Sequence, residues 1–306
     1  RLGFGLRWKI DTTSRMEFRP SLTVGEQNNN RLTNINTTSS VDGLLNTSNN
    51  LQSTIARDLG YNHSLSYFKN FRKKGRTFNV FNSMNYNNTN SDQFNNVLNT
   101  FFPTGSSTLD QLRDLERANF STNTNLNFAE PLTKKITLRL GYALTYFENK
   151  DALSTFNKNN SNGKYDQPNS LLTNHLERTS WRNNLSSGLN FRHKKLSITA
   201  TLNFLWLDLN NRYISIGQKL DQHFNYILPG GNISWREFNL SYNANVNPPG
   251  IGDIQPVADN SNPLYINKGN PDLKPAVSHN FNLNYFKNVT AKQLFISAYL
   301  GGNISN

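Results

Sequence analysis

From Ile136 to Tyr146 every second residue is apolar. Ile136, Leu138, Leu140, Tyr142, Leu144 and Tyr146 oppose Thr137, Arg139, Gly141, Ala143 and Thr145. A period of two puts successive side chains on opposite faces, so this stretch reads as a strand with one apolar and one polar face. The pattern recurs along the whole chain. Leu2 to Ile10 alternates with Arg1 to Lys9, and Leu59 to Tyr67 and Phe78 to Tyr86 form further strands. Phe120 to Phe128 alternates with Ser121, Asn123, Asn125 and Asn127. Trp181 to Phe191, then Leu202, Phe204 and Trp206 against Thr199, Thr201 and Asn203, then Leu240 to Val246 around Asn243, continue it. His279 to Phe286 and Leu294 to Leu300 close the series.

The count is about twelve strands in six hairpins. Their connections alternate short and long. The short ones are Asp11–Ser14, Phe68–Arg76, Ala129–Thr133, Arg192–Lys195, Arg236–Glu237 and Lys287–Ala291. The long ones are Gly25–Arg57, Asn87–Arg117, Phe147–Asn174, Asp208–Asp221 and the passage from Asn247 to the His279 strand. In consecutive antiparallel strands every second connection lies at the same end, so all long connections share one end. Short turns on one side and long loops on the other describe an all-β, antiparallel, up-and-down transmembrane barrel. Stretches of ten or more alternating residues suit a membrane-spanning strand of roughly 9–11 residues. A soluble β-sandwich alternates in the same way, and no single strand separates the two.

Composition agrees with one wet face. Only 35% of the 306 residues are hydrophobic and 17% charged, yet 12% are aromatic. The polarity comes from Asn, Ser and Thr. No run of about 18 apolar residues offers a transmembrane helix, which says nothing against strands that cross. There is no cysteine, hence no disulfide and no thiolate metal site. Parity assigns Leu138, Leu140, Tyr142, Leu202, Phe204 and Trp206 to the lipid face. It assigns Asn123, Asn125, Thr137, Arg139, Thr199, Asn203 and Asn243 to the lumen.

The net charge of +12 raises nucleic acid as a partner. The cations instead sit in hairpin turns: Lys69, Arg72, Lys73, Lys74 and Arg76 in one, Lys134 and Lys135 after another, Arg192, Lys194 and Lys195 in a third. A nucleic-acid site wants a continuous basic face with stacking aromatics, so no nucleic acid is expected. His63, His175, His193, His223 and His279 lack metal-ligand spacing, and no phosphate-binding glycine loop or nucleophile elbow occurs. The expectation is no enzyme and no cofactor. Ser107–Arg117 reads as a short helix, with Ser107 as its cap and Asp110, Asp114 and Glu116 pairing Arg113 and Arg117 along it. Pro229-Gly230-Gly231 suggests a bulge, and Pro20 requires an edge or irregularity.

Gln255-Pro256-Val257, Asn262-Pro263-Leu264 and Gly269-Asn270-Pro271-Asp272-Leu273-Lys274-Pro275 resemble the GNPxLKPE passage of TonB-dependent receptor barrels. The wording is most similar to the outer-membrane β-barrel family of Bacteroidota, with Ala276 where many relatives carry Glu. The motif covers about thirty residues and the compatible hairpin pattern the whole chain. The resemblance implies the bacterial outer membrane, a roughly 22-stranded barrel, and an unknown extracellular ligand. It also implies a plug domain within the same full-length chain, through which the TonB system would act. Residues 1–306 are then an internal barrel portion without signal peptide, plug or final strands; a complete 12-stranded barrel is the alternative. Gly269–Pro275 would fix where a strand enters the sheet. A non-transport outer-membrane barrel with a structural, adhesive or secretion-associated role, and a soluble β-rich binding protein, are the other readings.

Overall fold

The computed structural model describes residues 1–102, 104–254, 259–262, 265–267, 269–290 and 293–306. Its strands are β1 (Leu2–Gly3), β2 (Leu6–Lys9), β3 (Ser14–Ser39), β4 (Gly43–Asn70), β5 (Thr77–Phe101), β6 (Gly105–Pro131), β7 (Ile136–Asn157), β8 (Gln167–Pro168), β9 (Asn174–His193), β10 (Leu196–Tyr213), β11 (Gln218–Trp235) and β12 (Phe238–Asn247). A four-residue helix α1 (Ile251–Ile254) follows, then β13 (Asp259–Asn262), β14 (Tyr265–Asn267), β15 (Ala276–Val289) and β16 (Leu294–Ser305). One 14-stranded antiparallel sheet runs β1-β3-β4-β5-β6-β7-β9-β10-β11-β12-β15-β16, with β2 and β8 attached beside it. The twelve strands on that path correspond to the six hairpins of the sequence pattern. The sheet is open, with β1 and β16 at its two ends.

The strands are far longer than the alternation suggests. Strand β3 has 26 residues and β4 has 28. At about 3.3 Å per residue, β3 extends roughly 85 Å, against a hydrocarbon layer of about 30 Å. Gly25–Arg57, Asn87–Arg117 and Asp208–Asp221 are therefore mostly strand rather than loop, and Phe147–Asn174 is strand along half its length. Asn is depleted in strands, which makes these stretches look like loops. In Gly25–Arg57 a backbone ladder carries the asparagines, from Ser14↔Lys69 out to Ser39↔Gly43 with a single register shift at Thr37/Thr38. The tip is tight: Ser39 Oγ accepts from Val41 N at 3.1 Å and Asp42 N at 3.2 Å, and Gly43 takes φ +73°.

The helix expected over Ser107–Arg117 is instead the outer half of β6, paired with β5 from Leu109↔Val97 to Arg117↔Thr89. Leu109, Leu112 and Leu115 imitate a helical period, but Leu112 lies on the opposite face from the other two. Asp110 and Arg117 find partners distant in sequence rather than along a helix. Asp110 accepts from Lys158 at 3.0 Å and Tyr165 at 2.7 Å, and Arg117 bonds Asp151 at 3.0 Å.

Pro20 sits opposite the break between β1 and β2, where Phe4 N reaches its carbonyl at 3.3 Å. At Pro229-Gly230-Gly231 there is no bulge: pairing to β10 runs through Leu202↔Pro229, Thr201↔Gly230 and Ala200↔Gly231 without a shift. What stops there is the other ladder. Pairing of β11 with β12 ends at Gly230↔Asn243. Pro229, the next residue outward, has no N–H to offer.

The short turns at Asp11–Thr13, Phe71–Arg76, Leu132–Lys135, Lys194–Lys195 and Arg236–Glu237 all lie at one end. In the second, Arg76 Nε and Lys73 Nζ each reach Glu130 at 2.5 Å. The Arg76 hydrogen bond first, then that of Lys73, lowers the Glu130 carboxyl to about 2. In the first turn, hydrogen bonds from the Thr13 hydroxyl and N–H hold Asp11 at about 2.

Candidate functional site

Register decides which residues share a face. Leu138, Leu140 and Tyr142 pair with Leu189, Ser187 and Leu185 of β9. Those pair in turn with Ala200, Leu202 and Phe204 of β10, while Trp206 lies opposite Asn183. These residues form one face, on which Leu140, Leu202 and Trp206 remain about 40% exposed. Thr137, Arg139, Thr199, Asn203 and Asn243 lie on the other. Arg139, Gly188, Thr201, Gly230 and Asn243 form a single row across five strands. Thr137, Asn190, Thr199 and Asn232 form the neighbouring row. Asn123 and Asn125 continue this face on β6.

Side-chain amides knit the polar face. Asn190 Nδ2 donates to Thr199 Oγ1 at 2.7 Å, Asn123 Nδ2 to Thr145 Oγ1 at 2.9 Å, and Asn125 to Asn123. Asn203 Nδ2 reaches Leu228 O at 3.1 Å. A cavity of about 510 Å³ opens here against Asn79, Asn127, Arg139, Ser186, Thr201 and Asn203. Gly188 lines it where β9 closely approaches β10: a Cβ there would meet Thr201 Cγ2 at 2.8 Å and Ala200 O at 3.0 Å.

Further toward the long-hairpin end the polar face turns apolar. Leu205, Leu207 and Leu209 continue the parity of Asn203, yet each is only 1% exposed. They pack with Leu228, Ala244 and Val246. Ala244 and Val246 belong to the apolar face of β12 by parity. They reach the opposite face of β10 because β12, released from β11 beyond Asn243, folds across it while still paired to β15 through Asn247↔Ala276. Three side chains hold the segment by its carbonyls. Arg182 donates to Val246 O at 3.2 Å, Arg178 to Pro249 O at 2.8 Å, and Tyr213 to Ile254 O at 3.1 Å. Sequence reasoning missed this cluster. Its signal lies in Phe204-Leu205-Trp206-Leu207, where apolar residues fall on both faces at once, as in a strand covered on both sides.

Gly269–Pro275 is a capped turn against this segment. Asn270 N donates to Asp253 O at 2.7 Å, and Asp272 N to Asn270 Oδ1 at 3.0 Å. Pro275 is buried and hands the chain to β15. Gln255-Pro256-Val257, Pro263 and Leu264 lie outside the described residues. Elsewhere, His63 bonds Asn82 at 2.9 Å and His223 bonds Asp208 at 2.6 Å, on separate strands. Among the described residues no three His, Asp or Glu side chains gather as metal ligands.

Antiparallel strands of this length, with one apolar and one polar face and basic turns at one end, make the wall of an outer-membrane barrel. The family comparison agrees: residues 69–306 match the model of the outer membrane protein beta-barrel family, and the chain belongs to that family. Its place is the bacterial outer membrane. No curated protein matches it. Among solved structures it is similar to the unliganded ferric citrate transporter FecA, at 8% identity and TM-score 0.42, over 94% of this chain and 49% of that one. The siderophore receptor PiuA of Acinetobacter baumannii aligns at 9% identity and TM-score 0.44, over 98% and 56%. The alcaligin receptor FauA of Bordetella pertussis aligns at 10% and 0.39, over 99% and 50%. The chain thus spans about half the length of these structures.

Proposed function

We propose that this chain is barrel wall and ligand-capturing surface of a TonB-dependent receptor of the Bacteroidota type, serving nutrient uptake and carrying no catalytic group. The observation that carries the reading is the run of antiparallel strands β3 to β7, whose 22 to 28 residues are at least twice the roughly 9–11 that span a membrane. With the short basic turns in the periplasm, the surplus stands outside the cell as a rigid sheet rather than loose loops. The wording of Gly269–Pro275 supports the receptor reading over other barrels. The apolar face would meet lipid, and the polar face, Asn123, Thr137, Arg139, Asn203 and Asn243 included, would hold a plug from elsewhere in the full-length protein. Energy would arrive from the TonB system through that plug.

The test is an allele lacking residues 30–53, the outer part of the β3–β4 hairpin. It is expected to yield a folded, heat-modifiable barrel and to grow as poorly as a full deletion in whichever nutrient-limited medium the deletion impairs. A full deletion with no growth defect in any such medium, but with surface attachment lost, would favour an adhesive barrel instead.

A further inference from the structure

A second groove lies on the apolar face at the short-turn end. It holds about 510 Å³ between the Arg236–Glu237 turn and β15–β16, lined by Trp235, Phe238, Leu283 and Tyr285. Its floor is aromatic, with the Phe238 and Tyr285 rings 4.7 Å apart. Its mouth is cationic. The Arg236 guanidinium lies 5.4 Å from the Trp235 ring centre. Stacking of that kind leaves a guanidinium's edge N–H groups free to donate. Arg236 takes φ +53°, and its N–H bonds Lys195 O at 3.2 Å, which joins the neighbouring basic turn to the same mouth. Glu130 takes up Lys73 and Arg76 of another turn. Arg236 and Glu237 both line the groove, and the adjoining turn adds Lys194 and Lys195, so the two neighbouring turns together are net positive.

We propose that this groove seats one glycerophospholipid of the inner leaflet, its phosphate on Arg236 and Lys195 and an acyl chain along Phe238, Leu283 and Tyr285. The inference rests on the lipid-facing assignment of the apolar face. Two features single out a lipid rather than a free anion: the aromatic floor continues straight from the cationic mouth, and the short turns border the phospholipid leaflet. Arginine presents a planar fork of donors that matches phosphate oxygens, and aromatic rings are suited to the headgroup–acyl boundary.

The test is native mass spectrometry of the folded protein in detergent, titrated with dioleoylphosphatidylglycerol. Arg236→Asn, chosen because asparagine tolerates the left-handed backbone, and Lys195→Gln are each expected to weaken retention of the tightest lipid about fivefold, the effect of one cation at an anionic lipid surface. Lys74→Gln, in a distant turn, should leave it unchanged, and sn-glycerol 3-phosphate should not compete. Unchanged retention in Arg236→Asn, equal weakening by Lys74→Gln, or displacement by sn-glycerol 3-phosphate would each overturn the proposal. Heat-modifiable gel mobility verifies that every variant is folded. A failure of the face assignment itself would show separately, as a tolerated Leu140→Arg.

Discussion

Leu140→Arg is expected to cost roughly 2–4 kcal/mol of barrel stability, the penalty for a cation near mid-membrane on a lipid-facing strand. Leu140 is 43% exposed, between Phe128 on β6 and Ser187 on β9, with no carboxylate in either paired position. It lies four residues into β7 from the short turn. That is about 13 Å along the strand, and about 10 Å in depth at a usual tilt. The side chain would have to bury its guanidinium in hydrocarbon or pull the lipid surface inward. Thr137→Arg and Asn203→Arg change the opposite face, beside the polar cavity and its amide rows. They are expected to stay within about 0.5 kcal/mol of the parent, as for an ordinary solvated substitution. Urea unfolding in lipid vesicles reads the difference. Equal losses in all three variants would mean that the two faces are wrongly assigned.

Leu207→Asn tests the inner apolar cluster. If the lumen side of β10 were wet along its whole height, a polar side chain there would be neutral. Leu207 is instead packed among Leu205, Leu209, Leu228 and Val246. Truncating a side chain buried in this way costs about 2–5 kcal/mol, and an amide left without partners adds about 1–3 kcal/mol. The loss should be accompanied by release of the β12 end. Arg178 and Arg182 would no longer hold Pro249 and Val246, and proteolysis after Asn247 should quicken. A variant as stable as the parent would contradict the inward fold of this segment.

The period-two pattern made the strands, their pairing order and which residues of a strand share a face legible, because a slip of one position would turn every apolar side chain to the wrong side. The basic turns were legible for the same reason, as interruptions of that period. Strand length was not. Asn34, Asn36 and Asn49 sit on ladders that reach beyond any membrane, and there no apolar face records the period. Ser107–Arg117 failed differently, since leucines three apart satisfied a helical spacing while the backbone partners that decide the matter lie on β5. The inward turn of β12 depends on contacts between residues more than thirty positions apart, and only Pro229 and the doubly apolar Phe204–Leu207 hint at it.

Single cysteines test the transmembrane arrangement most directly, because the chain has none of its own. Val41, at the β3–β4 tip, is 87% exposed, and Lys74 and Lys134 occupy the short turns. With a membrane-impermeant maleimide, Val41→Cys should be modified in intact cells, and Lys74→Cys and Lys134→Cys only after the outer membrane is opened. Modification of Lys74→Cys or Lys134→Cys in intact cells, with Val41→Cys protected, would contradict an outer-membrane wall that sends its long hairpins outward.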